Sequence, residues 1–392
     1  MAAILEERWV ATEAYRSARP VVTFDQAREL AAEHGTPLIC VSRSAVRRNY
    51  DALRNGLPGV EFYYAAKSNP DATILRTLRE SGCQIDVCSV GELHAALEAG
   101  FTPDQMLHTH PCKTLSNLMT CYNAGLRWFV YDNRTELHKL HQHTPDVTLL
   151  LRVAMSSASS LINLSAKFGC APSEAVDLLL EAKSLGMKVN GLEFHVGSQT
   201  TSPDDYDIAF GRIRRIYDAA ADAGIELEVI DFGGGLPAPY RDAVLTLDTF
   251  CESLRQSLDT HFGDLPVRLV AEPGRGVSAE TSTLVTSVIG KSVRPNGKTQ
   301  YIIDDGLYGS FSGKVYDHVD YPILAEDALL RPAYECVVAG PTCDSTDVVC
   351  CDQELPDLAI GELLLVPTMG AYTNASASTF NGLDIAKRIE VE

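Results

Sequence analysis

The chain has 392 residues, of which 45% are hydrophobic and 22% charged, as is typical of a soluble globular protein with more than one domain. Its formal net charge of -19, from 33 basic and 52 acidic residues, argues against nucleic acids and anionic membranes as partners. No apolar run reaches membrane-spanning length, and the first residues lack the basic and apolar regions of a secretory signal. We therefore expect a cytoplasmic protein.

Cysteine usage favours the same compartment. The eleven cysteines are scattered along the chain, without a C-x-x-C pair and without histidines at the spacing of a zinc site. Such a set is typical of reduced thiols in a cytosol, so we expect neither a disulfide framework nor a metal site.

The order of predicted elements indicates an α/β fold. Residues 1–36 are polar and helix-forming, and we expect them to pack on the carboxyl-terminal domain; a compact strand follows at 37–42. Short apolar runs then alternate with amphipathic helical stretches, of which 90–99, 173–185 and 204–223 are examples. The predicted strands are residues 62–66, 85–88, 106–109, 128–131, 148–153, 191–195, 228–232 and 268–271. Eight strands alternating with helices favour a (β/α)8 TIM-type barrel over 37–276, and an open, doubly wound sheet is the alternative.

After residue 276 the pattern changes to β-branched runs separated by Gly, Pro and Asp turns, without a long helix between them. These runs are residues 281–289, 300–303, 334–338, 347–351 and 362–367. The sequence therefore predicts an antiparallel β domain over residues 277–392.

Lys67 ends the first predicted barrel strand, and Pro70 stops that strand immediately afterwards. A lysine at the carboxyl end of a barrel strand can be desolvated and form a Schiff base with an aldehyde, although a surface lysine is the simpler interpretation. Further polar residues and glycines lie at or just after the ends of later strands. They are Asp86, Glu92, Arg152, His195, Gly233, Gly234, Gly235, Glu272 and Arg275.

These residues together match the needs of one cofactor. The glycine triplet alone is more often a plain turn, but with Ser198 and Arg275 on neighbouring strand ends it predicts a phosphate cradle. An unpaired carboxylate at Glu272 needs a cationic partner, such as a protonated pyridine nitrogen. His195 is either a satisfied core histidine or a ring that stacks on an aromatic cofactor. A lysine for an aldehyde, a carboxylate for a ring nitrogen and a phosphate cradle are together the requirements of pyridoxal 5'-phosphate.

Over nearly its whole length the chain resembles the barrel-type (alanine-racemase-like, fold type III) pyridoxal phosphate decarboxylases, and among them the ornithine/lysine decarboxylase family. The resemblance rests on six motifs in the family's order. They are Tyr64-Ala-Ala-Lys67-Ser-Asn, Phe194-His195-Val-Gly-Ser198, Asp231-Phe-Gly-Gly-Gly235, Glu272-Pro-Gly-Arg275, Gly340-Pro-Thr-Cys343-Asp344 and Gly370-Ala-Tyr372-Thr. The resemblance implies a carboxy-lyase that converts L-ornithine to putrescine, or L-lysine to cadaverine.

The resemblance also implies a role for each matching residue. Lys67 would bind the cofactor covalently, Glu272 would hold its ring nitrogen and His195 would stack on its ring. Asp86, Glu92 and Arg152 would order the surroundings of the lysine and the ring. The other cofactor-binding residues would be Ser198, Gly233, Gly234, Gly235, Gly274, Arg275 and Tyr372.

In this family a head-to-tail homodimer shares its two active sites. The resemblance therefore implies that each site receives Cys343 and Asp344 from the other subunit, with Cys343 protonating the α-carbon of the substrate. Tyr316 and Asp317 lie in a segment that matches the ornithine-type pattern. Asp317 and Asp344 would supply two carboxylates for a distal ammonium group, and plain turn residues are the alternative. One methylene is worth only about 1–3 kcal/mol in a pocket, so both ornithine and lysine are candidate substrates.

Two other functions remain open at this stage. One is a decarboxylase of another acid, such as diaminopimelate, carboxynorspermidine or a specialised-metabolite precursor, although diaminopimelate enzymes typically have Cys-Glu-Ser-Gly where this chain has Cys343-Asp344-Ser-Thr. The other is a catalytically silent regulator, which would lack Lys67, Cys343 or Asp344. The segment 161–169 also has Asn163 where eukaryotic-like members commonly have Arg, which leaves the behaviour of this substrate-covering loop open.

Overall fold

The computed structural model describes residues 19–155, 158–162, 164–242 and 244–392. The strands are β1 Leu38–Ser42, β2 Val60–Ala65, β3 Gln84–Asp86, β4 Met106–Leu107, β5 Trp128–Tyr131, β6 Thr148–Val153, β7 Ser160–Ile162, β8 Lys188–Phe194, β9 Ser198–Thr200, β10 Val229–Asp231, β11 Arg268–Ala271, β12 Ser282–Val293, β13 Thr299–Ile303, β14 Leu324–Ala325, β15 Ala333–Ala339, β16 Val348–Pro356, β17 Leu363–Val366 and β18 Lys387–Val391. The helices are α1 Phe24–His34, α2 Arg43–Gly56, α3 Ala72–Glu80, α4 Val90–Glu98, α5 Leu115–Asn123, α6 Arg134–His143, α7 Ala175–Ser184, α8 Asp204–Asp222, α9 Leu247–Phe262, α10 Arg275–Ser278 and α11 Gly313–Tyr316. Within these described ranges, every helix is too short or too polar to cross a lipid bilayer.

The chain forms two compact units. The barrel unit comprises residues 47–237 and 245–277, and the β unit comprises the described residues up to 46, Ala238–Val244 and the chain from residue 278. The sequence pattern instead predicts domain boundaries at residues 37 and 276. The packing predicted for residues 1–18 concerns residues outside the described ranges.

The barrel unit contains eight parallel strands in the order β4-β3-β2-β11-β10-β8-β6-β5. The two ends of this row meet at a parallel bridge between His108 and Phe129. There the His108 N–H donates to the Trp128 carbonyl at 3.1 Å, and the Val130 N–H donates to the His108 carbonyl at 3.0 Å. The predicted TIM-type barrel is therefore confirmed, and the alternative of an open, doubly wound sheet is wrong.

Apolar side chains fill the interior of the barrel. One cluster brings together a residue from each of five strands: Leu107, Val130, Leu150, Val229 and Val270. All five are at most 3% exposed. The interior is thus a packed core below the carboxyl ends of the strands, as the short apolar runs of the sequence predict.

Several helices of the barrel begin with a capping side chain just after a strand. Asp71 accepts a hydrogen bond from the Thr73 N–H at the start of α3, and Ser89 accepts one from the Glu92 N–H at the start of α4. Thr114 caps α5 in the same way. Because these caps satisfy N–H groups that lack intrahelical partners, they fix where each strand–helix turn ends. The turns at the carboxyl ends of the strands are therefore well defined.

The β unit is built around one eight-stranded sheet. Its main path runs β14-β17-β12-β13-β15-β16, and β1 pairs with both β12 and β18. Most pairs are antiparallel, as predicted, but β1–β18 and β13–β15 are parallel. Strands β13 and β15 can be parallel because the residues between them, 304–332, lead the chain back to the end of the sheet at which β13 begins.

Strand β1 belongs to the β unit, whereas the sequence analysis grouped residues 37–42 with the barrel. Helix α1 packs on the same sheet, where Val22 and Ala27 join a core cluster with Leu38, Cys40 and Val285. Because β1 is buried along its whole length, it has the continuous apolar pattern of a barrel strand. The pattern alone therefore could not assign it to one unit or the other.

Candidate active site

Lys67 lies just past the end of strand β2, in a single turn formed by Ala66–Ser68. The Ser68 hydroxyl donates to the Tyr64 hydroxyl oxygen at 2.9 Å, and Tyr64 donates to the Asn69 carbonyl at 3.0 Å. Because these bonds are buried, they hold the turn in one conformation. The turn therefore places the Lys67 amine at the carboxyl end of a barrel strand.

The Lys67 amine pairs with Asp86, which ends strand β3. Lys67 Nζ donates to Asp86 Oδ2 at 3.0 Å, and the other carboxylate oxygen accepts from the Thr109 N–H at 3.2 Å and the Thr109 hydroxyl at 2.7 Å. Asp86 is fully buried, while the Lys67 side chain is 36% exposed. Asp86 is therefore a fixed anchor, and the lysine amine remains accessible to a ligand.

Glu92 stabilises the turn that follows Asp86. Its Oε2 accepts from the Cys88 N–H at 2.7 Å. Burial raises the pKa of the Glu92 carboxyl, and the backbone hydrogen bond from Cys88 opposes that rise. The Cys88 thiol lies 4.0 Å from Lys67 Nζ, and burial raises its pKa well above the ordinary value. Glu92 thus positions the backbone beside Lys67.

A layer of polar side chains lies two residues beyond the apolar layer. Alternate residues of a strand face the same side, so the positions after the apolar cluster also face inward. Four of these positions hold buried polar residues, Thr109, Arg152, Asp231 and Glu272. Glu193, also buried, is two residues beyond Gly191, the register partner of Leu150 and Val229. The barrel interior is therefore apolar in one layer, and the next layer toward the carboxyl ends of the strands consists of buried polar and charged groups.

Glu272 directly follows β11 and is 2% exposed. Its Oε1 has no hydrogen-bond partner within the described part of the chain. Burial raises the pKa of Glu272 well above the ordinary value, the carboxylates of Asp231, Asp86 and Glu193 raise it further, and only Lys67 opposes them. Burial also raises the pKa of Asp231, to about 6. A cationic ligand at this position would relieve the repulsion and stabilise the carboxylate.

The glycine triplet forms a concave backbone between β10 and β11. Gly233 and Gly235 have φ of +66° and +115°, values that side chains rarely adopt. A Cβ on Gly234 would lie 2.5 Å from the Glu272 carbonyl oxygen and 3.3 Å from His195 Nε2. Only glycine fits at these positions, and a bound group can therefore approach the backbone closely.

A hydroxyl and a guanidinium lie together at the barrel mouth. Arg275, in the short helix α10, donates through Nη2 to Ser198 Oγ at 3.0 Å, although Ser198 is on β9. Arg275 is buried. Gly274 precedes it, and a Cβ there would lie 3.0 Å from the Cβ of Ser68, in the Lys67 turn. A buried arginine beside a hydroxyl and close to glycine backbone can bind a phosphate group.

His195 follows β8 at the same end of the barrel. Its Nδ1 accepts from the Gly197 N–H at 3.0 Å, so the proton of the neutral ring is on Nε2. Burial lowers the pKa of His195 well below the ordinary value, and the charges of Arg152 and Lys67 lower it further. The ring is therefore a neutral, partly exposed plane, which suits stacking on an aromatic ligand.

Five of the predicted site residues lie in the β unit: Tyr316, Asp317, Cys343, Asp344 and Tyr372. Asp344 accepts from the Tyr308 hydroxyl and from the Thr346 N–H, and the bond from Tyr308 lowers its pKa. Cys343 is exposed, and Asp317 is buried at the end of α11. Tyr316 is 63% exposed, and Tyr372 has a positive φ of +53°. The cofactor and substrate roles of these five residues stay predictions.

The structure adds two residues that the sequence analysis did not select. Thr109 holds Asp86 in place, and Glu193 lies in the polar layer between Arg152 and Asp231. Glu193 could have been found from strand alternation, because it is two residues from Gly191 on an inward-facing row. Asn163 lies outside the described residues.

The described residues of the barrel unit thus offer an amine for an aldehyde, a buried carboxylate with one unpaired oxygen for a cation, and a glycine–arginine cradle for a phosphate. Pyridoxal phosphate has all three matching groups, and the residues present fit it. The fold and the site therefore define a barrel-type pyridoxal phosphate enzyme.

Comparison with known proteins gives the family. The family model described as "Pyridoxal-dependent decarboxylase, pyridoxal binding domain" matches residues 43–279, more than half of the chain. A lysine/ornithine decarboxylase of Selenomonas ruminantium is 36% identical over 369 residues, which cover 94% of this chain and 92% of that protein. The chain belongs to the pyridoxal-dependent decarboxylases, as the six motifs predict.

Solved structures show the same similarity. The crystal structure of lysine/ornithine decarboxylase from Vibrio vulnificus complexed with putrescine has a TM-score of 0.88 at 35% identity, and the match covers 95% of this chain and 99% of that one. The structure of SrLDC, the Selenomonas ruminantium lysine decarboxylase, in complex with PLP and cadaverine has a TM-score of 0.89 at 35% identity, covering 95% and 94%.

Proposed function

We propose that this protein removes the α-carboxyl group of a basic L-amino acid, with L-ornithine as the first candidate substrate and L-lysine as the second. The products would be putrescine and cadaverine. The observation that best supports the chemistry is the buried Glu272 carboxylate, whose Oε1 has no hydrogen-bond partner among the described residues, in the barrel that also holds the Lys67–Asp86 pair. The substrate class is supported by relatives named for ornithine and lysine and by the diamines bound in the similar structures.

Bound pyridoxal phosphate supplies an electron sink for the charge that remains on the α-carbon when carbon dioxide leaves. Lys67 would hold the aldehyde carbon of the cofactor, with Asp86 stabilising positive charge at Nζ. Glu272 would keep the ring nitrogen protonated. The neutral His195 ring would cover one face of the cofactor ring and so orient it. The phosphate would be held by the glycine triplet, Ser198 and Arg275.

The family resemblance also supports substrate roles for Asp317, Cys343 and Asp344. Asp317 and Asp344 would accept hydrogen bonds from the distal ammonium of the substrate, because paired carboxylates favour a cation over a neutral group. Cys343 Sγ would deliver a proton to the α-carbon after carbon dioxide has left. Each charge-assisted hydrogen bond contributes about 1.5–3 kcal/mol, so Asp344→Asn should raise KM for ornithine roughly 10- to 200-fold.

A substrate panel tests the proposal. Purified protein with cofactor is offered ornithine, lysine, arginine, diaminopimelate and carboxynorspermidine, and the released carbon dioxide and amine are measured. We expect turnover of ornithine or lysine that Lys67→Ala abolishes, while Lys188→Ala, at an exposed lysine at the start of β8, retains it. No turnover of any basic amino acid by cofactor-loaded protein would refute the proposal.

We further propose a head-to-tail homodimer in which Cys343 and Asp344 of one copy serve the site that contains Lys67 of the other. The support is the family resemblance and the exposure of Cys343. Mixing Lys67→Ala protein with Cys343→Ala protein should restore part of the activity, because one of the two sites in a hybrid dimer keeps both residues. Cys351→Ala, at another exposed cysteine of the β unit, should have full activity and is the control. No recovery on mixing would contradict shared sites.

A cytoplasmic location is also proposed. Its support is the set of eleven free cysteines, of which Cys112, Cys343 and Cys351 are exposed and would be oxidised readily in a secretory compartment. Cell fractionation with an antibody to the protein tests the location.

A further inference from the structure

Three charged residues lie in one row across neighbouring strands of the barrel. Arg152 on β6 is the register partner of Glu193 on β8, and Glu193 is the register partner of Asp231 on β10. All three are buried, at 8%, 0% and 0% exposure. Because they face the barrel interior at the level of Glu272, the central member of the row is part of the surroundings of the candidate cofactor site.

The buried carboxyl group of Glu193 lacks hydrogen bonds from the part of the chain that the structure describes. Neither of its carboxylate oxygens has a hydrogen-bond partner within the described residues. Its closest cation is Arg152, whose Nε lies 3.5 Å from Glu193 Oε2. Burial raises the pKa of Glu193 to about 8, and the charge of Arg152 is the largest influence in the opposite direction. A buried carboxyl of this kind is costly, so a role in the site is a reason for its presence.

Arg152 also contacts Phe168, in the segment that follows β7. The Arg152 guanidinium carbon lies 5.7 Å from the centre of the Phe168 ring, and Lys167 Nζ lies 4.8 Å from the same ring. The Phe168 ring also contacts His110 edge-on, with 5.3 Å between ring centres. The guanidinium is therefore held between a carboxyl inside the barrel and an aromatic ring at its mouth.

The other charged groups that act on Glu193 come from the neighbouring strands. Asp231 on β10 and Asp86 on β3 disfavour its ionised form, while Lys67, after β2, favours it. Glu272, after β11, is repelled by Glu193 in turn. Among the carboxylates that stabilise the charge of Arg152, Glu193 has the largest effect, followed by Glu272 and Asp132.

We infer that Glu193 is a positioning residue of the cofactor site, which fixes the Arg152 guanidinium beside the bound cofactor and, in its ionised form, compensates its charge. The inference deepens the proposed function, because it takes Lys67 as the cofactor-binding lysine. Glu193 does not touch the reacting atoms in this account. It acts through Arg152, and its removal leaves a buried cation without its closest carboxylate.

A double-mutant cycle on cofactor binding tests the inference. Cofactor-free wild type, Glu193→Gln, Arg152→Gln and the double variant are titrated with pyridoxal phosphate at pH 9, where Glu193 is ionised, and the visible circular dichroism of the bound cofactor is recorded. We expect Glu193→Gln to weaken binding about tenfold or more and to change the dichroism. In the Arg152→Gln background the same substitution should weaken binding less than about twofold, because its target has already been removed.

The matched control is Glu61→Gln. Glu61 lies near the start of β2, where it accepts two hydrogen bonds from Arg268 at 2.8 and 2.6 Å, so the variant breaks a Glu–Arg pair of the same barrel far from Lys67. We expect cofactor affinity and dichroism to stay unchanged in this variant. If Glu193→Gln folds poorly, Glu193→Asp keeps the charge and should show an intermediate loss that again disappears in the Arg152→Gln background.

Equal effects of Glu193→Gln in the two backgrounds, or unchanged cofactor affinity, would overturn the inference. The test measures cofactor binding and not turnover. Wild-type protein that fails to bind the cofactor would instead refute the proposed function, so the two failures are distinguishable.

Discussion

Replacing Glu272 with glutamine should have opposite effects on the cofactor-free and cofactor-loaded protein. Without cofactor, the Glu272 carboxylate is buried, its Oε1 has no partner among the described residues, and three other carboxylates repel it. Glutamine keeps the shape and removes the charge. An unsatisfied buried group costs about 1–3 kcal/mol, so cofactor-free Glu272→Gln should be more stable than wild type by up to that amount near pH 8.

The stability difference should depend on pH in a defined direction. Because the folded-state pKa of Glu272 is raised, the folded protein binds more protons than the unfolded chain above the ordinary Glu pKa of about 4.3. Wild-type stability therefore falls as pH rises through that window, by up to about 1.4 kcal/mol per pH unit for one proton. Glu272→Gln lacks this dependence, so the gap between the two proteins should be small at pH 5 and larger at pH 8.

With cofactor bound, the same substitution should be harmful. The ring nitrogen would lose its carboxylate partner, and breaking a buried charge pair costs about 3–5 kcal/mol. Cofactor affinity or kcat/KM should therefore fall roughly 100- to 5000-fold. The assays are thermal denaturation of the cofactor-free proteins at the two pH values, cofactor titration and steady-state kinetics.

The control for this prediction is Glu98→Gln, at an exposed position at the end of α4. It should change neither the stability of the cofactor-free protein nor the cofactor affinity. Two results would refute the reasoning: cofactor-free Glu272→Gln that is less stable than wild type at pH 8, or unchanged cofactor affinity in the loaded protein.

Three further substitutions test other parts of the structure. Gly234→Ala places a Cβ 2.5 Å from a backbone carbonyl oxygen, so it should lower cofactor affinity and cost about 1–3 kcal/mol of unfolding free energy, measured by cofactor titration and urea denaturation. Lys113→Met breaks a buried ion pair of 2.8 Å with Glu136 and should lower the unfolding free energy by roughly 3 kcal/mol. Asp205→Asn weakens the hydrogen bonds that the backbone and hydroxyl of Ser159 donate to Asp205, so limited proteolysis near that segment should be roughly 10- to 100-fold faster.

Each of these substitutions has a control in the same chain. Gly91→Ala, whose new Cβ would come no closer than 3.8 Å to the neighbouring atoms, should leave cofactor affinity unchanged. Lys188→Met and Asp204→Asn change exposed side chains and should leave stability and the proteolysis rate unchanged. If a control variant changed cofactor affinity, stability or proteolysis rate as much as its test variant does, the role assigned to the tested residue would be wrong.

The sequence predicted the barrel because each of its strands is a short apolar run bounded by helical stretches. Residues that follow such runs must lie at the carboxyl ends of the strands, so Lys67, Glu272 and the glycine triplet could be placed at one end of the barrel before the structure was known. The resemblance implied that Asp86 lies near the lysine, but the strand pattern alone could not give the pairing of Lys67 with Asp86, because that pairing depends on the order of strands around the barrel.

Other features escaped the sequence analysis for physical reasons. Glu193 lies in a strand that also contains Lys188 and Asn190, and only the register with the neighbouring strand reveals that it faces Arg152. Strand β7 pairs with β9, the strand that carries Ser198. Each of these two strands has only three residues. Such short strands have no periodicity that a sequence pattern could detect.

The pairing of β1 with β18 has a consequence for folding during synthesis. Leu38 is the register partner of Lys387, so a strand made near the start of translation stays without one neighbour until almost the whole chain has been translated. All residues of the barrel unit leave the ribosome in the meantime and can fold first. Throughout this interval the row of N–H and C=O groups on that side of β1 stays open to other chains, and a product released before residue 387 would keep an aggregation-prone edge permanently.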